Sequence, residues 1–252
     1  MVKLIPHRTL CLLLCLLGWP LSGAAATPQR IISLTPHLTE LLYDIGAGDR
    51  IVATDDASDF PPEVAPLPRV ANYRSINLEA LLAQKPDLVV AWRSAQSRML
   101  APVEKLGIPV FYSEPTDFAS LATEMRSLGR LLGTRQKADQ QADAYLARLS
   151  ALKQRYGKPK PVSVFYQLWY PPLTSVNDST WPGHAIRLCG GRNIMADASS
   201  PYPQVGLEQV IKANPGLILA GSRDPAVLDH WRQWSMLDAV KQQRLVLINP
   251  DE

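Results

Sequence analysis

The sequence predicts an α/β protein of two α/β lobes, joined by a single long rigid α-helix, with a ligand cleft between the lobes. Three observations predict it. From Thr134 to Gly157 there is no internal Gly or Pro, and the apolar residues Ala138, Ala142, Tyr145, Leu149, Leu152 and Tyr156 recur at alternating steps of four and three. That spacing lays a narrow stripe along one face of a helix roughly 35 Å long, at about 1.5 Å per residue. Alternating strand and helix patterns lie on both sides of it, as α/β folds require. A phrase also recurs 129 residues on, from Glu79 to Glu208. Leu78-Glu79, Leu81-Leu82, Pro86 and Leu88–Ala91 line up with Leu207-Glu208, Val210-Ile211, Pro215 and Leu217–Ala220. A surface helix within one domain explains the stripe but not the similar units flanking it.

Residues 1–26 read as an export signal. Lys3 and Arg8 precede an apolar run too short to cross a bilayer, small residues follow, and cleavage is expected after Ala26. No Cys directly follows, so no lipid-anchored terminus is expected and the mature protein is placed in the periplasm. Of 26 basic residues the signal removes Lys3 and Arg8, leaving a net charge of +1 against 23 acids. Such a balance offers no basic field for nucleic acid and no cluster for a membrane surface. Cys11 and Cys15 leave with the signal, and Cys189 remains alone in an oxidising compartment.

Taken in order, Arg30–Leu34 is a buried strand, and Thr35-Pro36 starts a helix with Leu38, Leu41, Leu42 and Ile45 on one face. Gly46 ends it and Arg50–Thr54 is the next strand, completing a βαβ unit. A polar, Pro-rich loop spans Asp55–Pro68. A short helix follows from Asn77, then a strand at Asp87–Ala91, a helix around Met99–Leu106, a strand at Ile108–Tyr112 and a helix at Leu121–Leu132. The rod begins with Thr134 as N-cap and stops at Gly157, before Pro159 and Pro161. Beyond it, Val162–Tyr166 is a strand, a helix ends at Cys189-Gly190-Gly191, and Asn193–Ala196 is a short strand. Trp231 and Trp234 sit with Leu228 and Leu237 in a helical stretch and are expected in the core. The expected divisions are a first lobe at 27–133, a connecting helix at 134–158 and a second lobe at 159–252. Leu245–Ile248 matches the strand at Ile108–Tyr112, yet no helix follows it, so a further closing helix beyond residue 252 is expected.

The chemistry expected is binding. No G-x-S-x-G, P-loop, H-E-x-x-H or G-x-G-x-x-G is present. His37, His184 and His230 are scattered, which argues against a caged metal ion. A secreted α/β hydrolase is thereby a distant alternative, and no cofactor is expected. His37 lies in the first turn of a helix at a strand's C-terminal end, where α/β sheets place ligands; a polar first-turn residue and a cleft residue are both open readings. His184 and His230 read as surface or packing residues. Tyr73, Trp92, Trp169, Tyr170, Trp181 and Tyr202 all fall after strands or in irregular stretches. Rings so placed on two lobes bury a large flat ligand, each removing about 150–250 Å² from water while keeping a polar edge available. Glu79 and Glu208 hold the same register in the repeat. The helix dipole explains each alone; the pairing suits a two-fold partner offering matched arginines.

Five segments carry a resemblance: RIISLTPHLTELLYDIGAGDRIVATDDASDFPP, NLEALLAQKPDLVVAW, QLWYPPLTSVN, IRLCGGRNI and YPQVGLEQV. From about residue 28 onward the chain resembles the periplasmic solute-binding proteins of ABC importers with a rigid helical backbone, most closely their cobalamin-binding branch. The resemblance implies a corrinoid held between the lobes, with Tyr73, Trp92, Trp169 and Tyr202 on the cleft loops and Asp251 matching a cleft aspartate. It implies that Glu79 and Glu208 dock onto a two-fold permease that works with ATPase subunits. It also implies that Cys189 pairs with a cysteine of a C-terminal helix absent from this chain. Ala57 stands where a tyrosine commonly meets the ligand. The expected protein is a monomer that captures cobalamin or a related corrinoid and passes it to the importer; receptors for haem, ferric siderophores or other metal chelates share the architecture.

Overall fold

The structure, a computed structural model, describes residues 26–157 and 160–249. The export-signal reading and Asp251 therefore lie outside the described residues, apart from Ala26 itself. Five parallel strands make the first sheet: β1 (Ile31–Ser33), β2 (Ile51–Asp55), β3 (Arg69–Ala71), β4 (Leu88–Trp92) and β5 (Val110–Ser113), in the order β3-β2-β1-β4-β5. Parallel strands need crossovers. These are α1 (Pro36–Asp44), α2 (Leu78–Ala83) and α3 (Arg93–Lys105), while α4 (Phe118–Leu131) closes the lobe. The strands read as continuous apolar runs because both faces are covered. Ile31, Leu88 and Val90 pack with α1 and α4 on one face; Ile32, Val89 and Ala91 pack with Leu81, Leu100 and Val103 on the other.

The second sheet holds β6 (Val162–Gln167), β7 (Gly191–Asn193), β8 (Leu217–Gly221) and β9 (Leu245–Ile248), all parallel, in the order β7-β6-β8-β9. Its helices are α6 (Trp181–Leu188), α7 (Leu207–Ala213) and α8 (Asp238–Lys241). Phe165, Ile218, Val210 and Trp231 form its core. Between the sheets runs α5 (Arg135–Tyr156), the expected rod, 22 residues long. Ala138 and Ala142 are buried in the first lobe's core, Leu149 and Leu152 are half-buried, and Tyr156 is exposed. The rod is thus anchored to the first lobe through its N-terminal half.

The repeat is real in the backbone. Helix, breaker and strand recur as α2–β4 and α7–β8, and Lys85 (φ 49°) and Asn214 (φ 43°), each just before its proline, both adopt the left-handed conformation. Four local expectations need correction. Asn193–Ala196 is not a strand: β7 ends at Asn193, whose side chain accepts a hydrogen bond from Met195 N (3.0 Å) and turns the chain away. The stretch with Trp231 and Trp234 is a 3-10 helix from Pro225 to Trp231 followed by a turn, although Trp231 is fully buried as expected. Thr134 sits before the rod but makes no side-chain cap, because the chain arrives directly from α4 through Gly133 (φ +67°) with Thr134 N donating to Gly129 O. Finally, β3 goes unmarked in the sequence, since three residues show too little alternation to signal a strand.

Candidate ligand cleft

In open α/β sheets a ligand sits outside the carboxyl ends of the strands, where the strand order reverses. The first sheet reverses between β1 and β4. The chain leaves β1 through Leu34, Thr35 and Pro36 into His37, and β4 ends at Trp92. The rings of His37 and Trp92 meet there edge to face, 5.7 Å apart at 83°. Trp92 is held by Gln96, which accepts from Trp92 N (2.8 Å) and donates to Leu34 O (2.8 Å), bridging the two strand ends. Gln96 is buried, so this bridge is well shielded from water.

A polar network stiffens the floor beside it. The Thr39 hydroxyl lies 2.8 Å from that of Ser33 and 2.9 Å from that of Ser58. Ser58 donates to the Asp55 carboxylate, and the Arg69 guanidinium donates to the carbonyls of Asp55 (2.9 Å) and Ser58 (2.6 Å) and to the Thr54 hydroxyl. Ser33, Thr39, Thr54, Asp55 and Ser58 are all buried. Buried polar groups so fully paired fix one arrangement of the strand ends. His37 is surface-exposed, yet the crowding of atoms around it pushes its pKa below the usual imidazole value, against the opposing pull of Asp55.

The second sheet reverses between β6 and β8, and β6 runs out toward Trp169 and Tyr170. Both rings are exposed. Tyr170 stacks on His230 (4.2 Å, 7°), whose pKa burial lowers, and the Trp169 indole donates to Pro171 O (3.0 Å). Tyr73, 84% exposed, follows β3, and Tyr202, 59% exposed, precedes α7. The offset of 129 that relates Glu79 to Glu208 also relates these two tyrosines. Each acid lies in the first turn of its helix and is exposed.

The lobes touch where two helix N-termini meet. Asp117 caps α4, accepting from Ser120 N (2.7 Å), and Thr180 caps α6, accepting from Gly183 N (3.2 Å). The residues next to these caps, Phe118 and Trp181, stand 5.3 Å apart, with His184 6.1 Å from each. His184, expected as a surface or packing residue, packs here, and Trp181 bridges the lobes rather than standing alone on a loop.

A family model described as periplasmic binding protein matches residues 31–252. The chain belongs to that family. Vitamin B12-binding protein from Vibrio campbellii is 37% identical over 89% of this chain and 82% of its own length, and the Yersinia pseudotuberculosis protein of the same name is 37% identical over 88% and 79%. The crystal structure of the periplasmic vitamin B12 binding protein BtuF of Vibrio cholerae is 36% identical and superposes with a TM-score of 0.79 over 89% of both chains. The periplasmic heme binding protein HutB of Vibrio cholerae superposes equally well, TM-score 0.79, but at 24% identity it shares the fold alone.

Within this periplasmic binding protein, His37 and Trp92 come together at one switch point and Trp169 follows the strand at the other. Tyr73 and Tyr202 stand on loops with no ring packed against either among the described residues, the Arg74 guanidinium lying over Tyr73 (4.9 Å). Cys189 is free and exposed. Two surface recesses lie elsewhere, one lined by Ile45, Gly133 and Lys137 and one by Arg232, Val240 and Leu245; neither has an aromatic wall. Sequence reasoning missed Gln96, Thr39, Ser58 and Arg69. Their signal was weak, polar residues inside otherwise amphipathic or irregular stretches, and only the fold shows what they tie together.

Proposed function

We propose that this chain captures cobalamin or a related corrinoid in the periplasm and delivers it to the two-fold permease of an ABC importer, with its ATPase subunits. The observation that carries the reading is the likeness, at 36–37% identity across nearly nine-tenths of the chain, to proteins named for vitamin B12 binding. The residues support it. Exposed rings at the ends of both sheets suit a broad, flat ligand with an apolar face and polar edges. In this reading Tyr73, Trp92, Trp169, Tyr202, His37 and Asp251 contact the ligand, and Glu79 and Glu208 dock on the permease. The lobes comprise 27–133 and 159–252, the helix at 134–158 joins them, and the protein acts as a monomer.

Titration calorimetry with cyanocobalamin, haemin and a ferric siderophore tests it. Cyanocobalamin is expected to bind with a nanomolar constant, about −12 kcal/mol, and the other two far more weakly. Tight haemin or siderophore binding without corrinoid binding would transfer the protein to the metal-chelate receptors of the same fold.

A further inference from the structure

We propose that His230 is a positioning residue for the ligand: its ring is the platform on which Tyr170 rests, and through Tyr170 it fixes the corner that carries Trp169. The inference rests on the corrinoid reading, in which Trp169 meets the ligand, and adds to it a residue that acts through another. The corner is a tight turn at the end of β6. Leu168 N donates to Thr174 O (2.9 Å), Thr174 N donates to Trp169 O (2.9 Å), and Thr174 pairs with Gln204, two positions past Tyr202. The base of the corner is thereby tied to the Tyr202 loop. Its tip, Tyr170–Pro172, is held differently. Neither proline has an N–H to donate. The Trp169 indole donates to Pro171 O (3.0 Å) and the Thr174 hydroxyl to Pro172 O (3.1 Å), both within the corner itself. What joins the tip to the rest of the lobe is the stack of Tyr170 on His230, 4.2 Å apart and nearly parallel at 7°.

His230 is itself held from behind. Its ring lies 4.9 Å from that of Trp231, which is fully buried, packs on Phe165 (5.6 Å) and donates to Gln167 Oε1 (2.7 Å). Gln167 in turn donates to Val227 O (3.0 Å), so β6 is locked to the 3-10 helix that carries His230. Contacts thus run unbroken from the core to the exposed corner. The platform is also one that a proton can disturb, because Nε2 of His230 is buried with no hydrogen-bond partner. The titratable groups on the elements around it are the phenols of Tyr170 and Tyr166, the second turned to Gly221, together with Asp229 and Arg232, which pair with each other (2.9 Å) in solvent; β8 and β9 carry none. Burial lowers the His230 pKa, against the smaller opposing effect of a hydrogen bond with the Val227 backbone, so the ring is neutral at pH 7. A proton added at Nε2 becomes a buried donor without an acceptor, and that cost exceeds the attraction of an imidazolium for the Tyr170 face. Acid therefore loosens the corner.

Cyanocobalamin titrations of the wild type, His230→Phe and His230→Ala, at about pH 7.5 and about pH 5, test the platform. At the higher pH, His230→Phe keeps a flat ring and is expected to bind within about twofold of wild type, whereas His230→Ala removes the ring and should bind about tenfold more weakly. Acidification is expected to weaken the wild type by about threefold or more relative to His230→Phe, whose ring does not titrate. Wild-type affinity in a folded His230→Ala, or an equal response to pH in the wild type and His230→Phe, overturns the proposal and leaves the receptor reading standing. If His230→Ala does not fold, that pH comparison decides alone. If cyanocobalamin does not bind the wild type, the corrinoid reading falls, and the indole proton resonance of Trp169 without added ligand, assigned by its loss in Trp169→Phe, judges the platform. Movement of that line between the two pH values in the wild type but not in His230→Phe upholds it; equal behaviour in the two overturns it.

Discussion

Tyr73 and Tyr202 show how exposed rings differ from a core. Each side chain is mostly in water, so the folded state gains little from burying it. Trp231, by contrast, is fully buried against Phe165 and donates its indole N–H to Gln167 (2.7 Å), a contact the fold cannot lose cheaply. Replacing Tyr73 or Tyr202 by Ala is therefore expected to leave the thermal midpoint unchanged and to weaken corrinoid binding by about 1–3 kcal/mol, the scale of one buried ring contact. Calorimetry paired with a thermal melt checks this; a fall in the midpoint with affinity intact would make the rings structural. Legibility at this scale follows chemistry. An exposed aromatic after a strand is visible as a residue type at a position, whereas Gln96 does its work through a hydrogen bond to Leu34, 62 positions away, and no local pattern announces it.

At the scale of elements, α5 was legible because a 22-residue run without Gly or Pro has few other fates. What its stripe did not reveal is where the tight contact falls. The two small residues Ala138 and Ala142, not the larger Tyr145 or Leu149, are the fully buried ones, since α4 approaches closely through Gly129. A Cβ at Gly129 would lie 2.2 Å from the Cβ of Ala138. Gly129→Ala is accordingly expected to force the helices apart and to destabilise the protein by about 1–3 kcal/mol. Ala138→Gly in the same chain should return part of that loss, less about 0.5–1 kcal/mol for a helical glycine. Urea unfolding of the two single variants and the double variant measures the coupling; simple additivity would refute the close approach. The capping of α5 by Thr134 failed for a related reason: the α4–Gly133–α5 corner is so short that Thr134 never takes the extended backbone a side-chain cap needs.

On the whole-molecule scale the decisive relation is the repeat, because it puts like groups at like places on two lobes. One offset relates Tyr73 to Tyr202, Glu79 to Glu208 and Lys85 to Asn214, so an exposed ring, an exposed acid and a helix-ending kink recur together. The stiff α5 and the contact of Phe118 with Trp181 then hold the two copies at a restricted separation. A macrodipole accounts poorly for both acids, since α2 and α7 have six and seven residues and neither glutamate joins an ion pair among the described residues. Two exposed carboxylates at a fixed spacing instead suit a surface with its own two-fold axis, where each accepts hydrogen bonds from an arginine. Exposed charges of this kind act on encounter and orientation more than on what happens in the cleft. Glu79→Ala with Glu208→Ala is thus expected to keep cobalamin affinity within about twofold of wild type while slowing cobalamin uptake into permease-containing vesicles by about tenfold or more. Each single change should produce an intermediate loss, and raising the salt should shrink the difference between wild type and double variant, because screened carboxylates contribute less. Uptake at the wild-type rate would remove the acids from the docking surface, and a matching loss of cobalamin affinity would move them into the cleft.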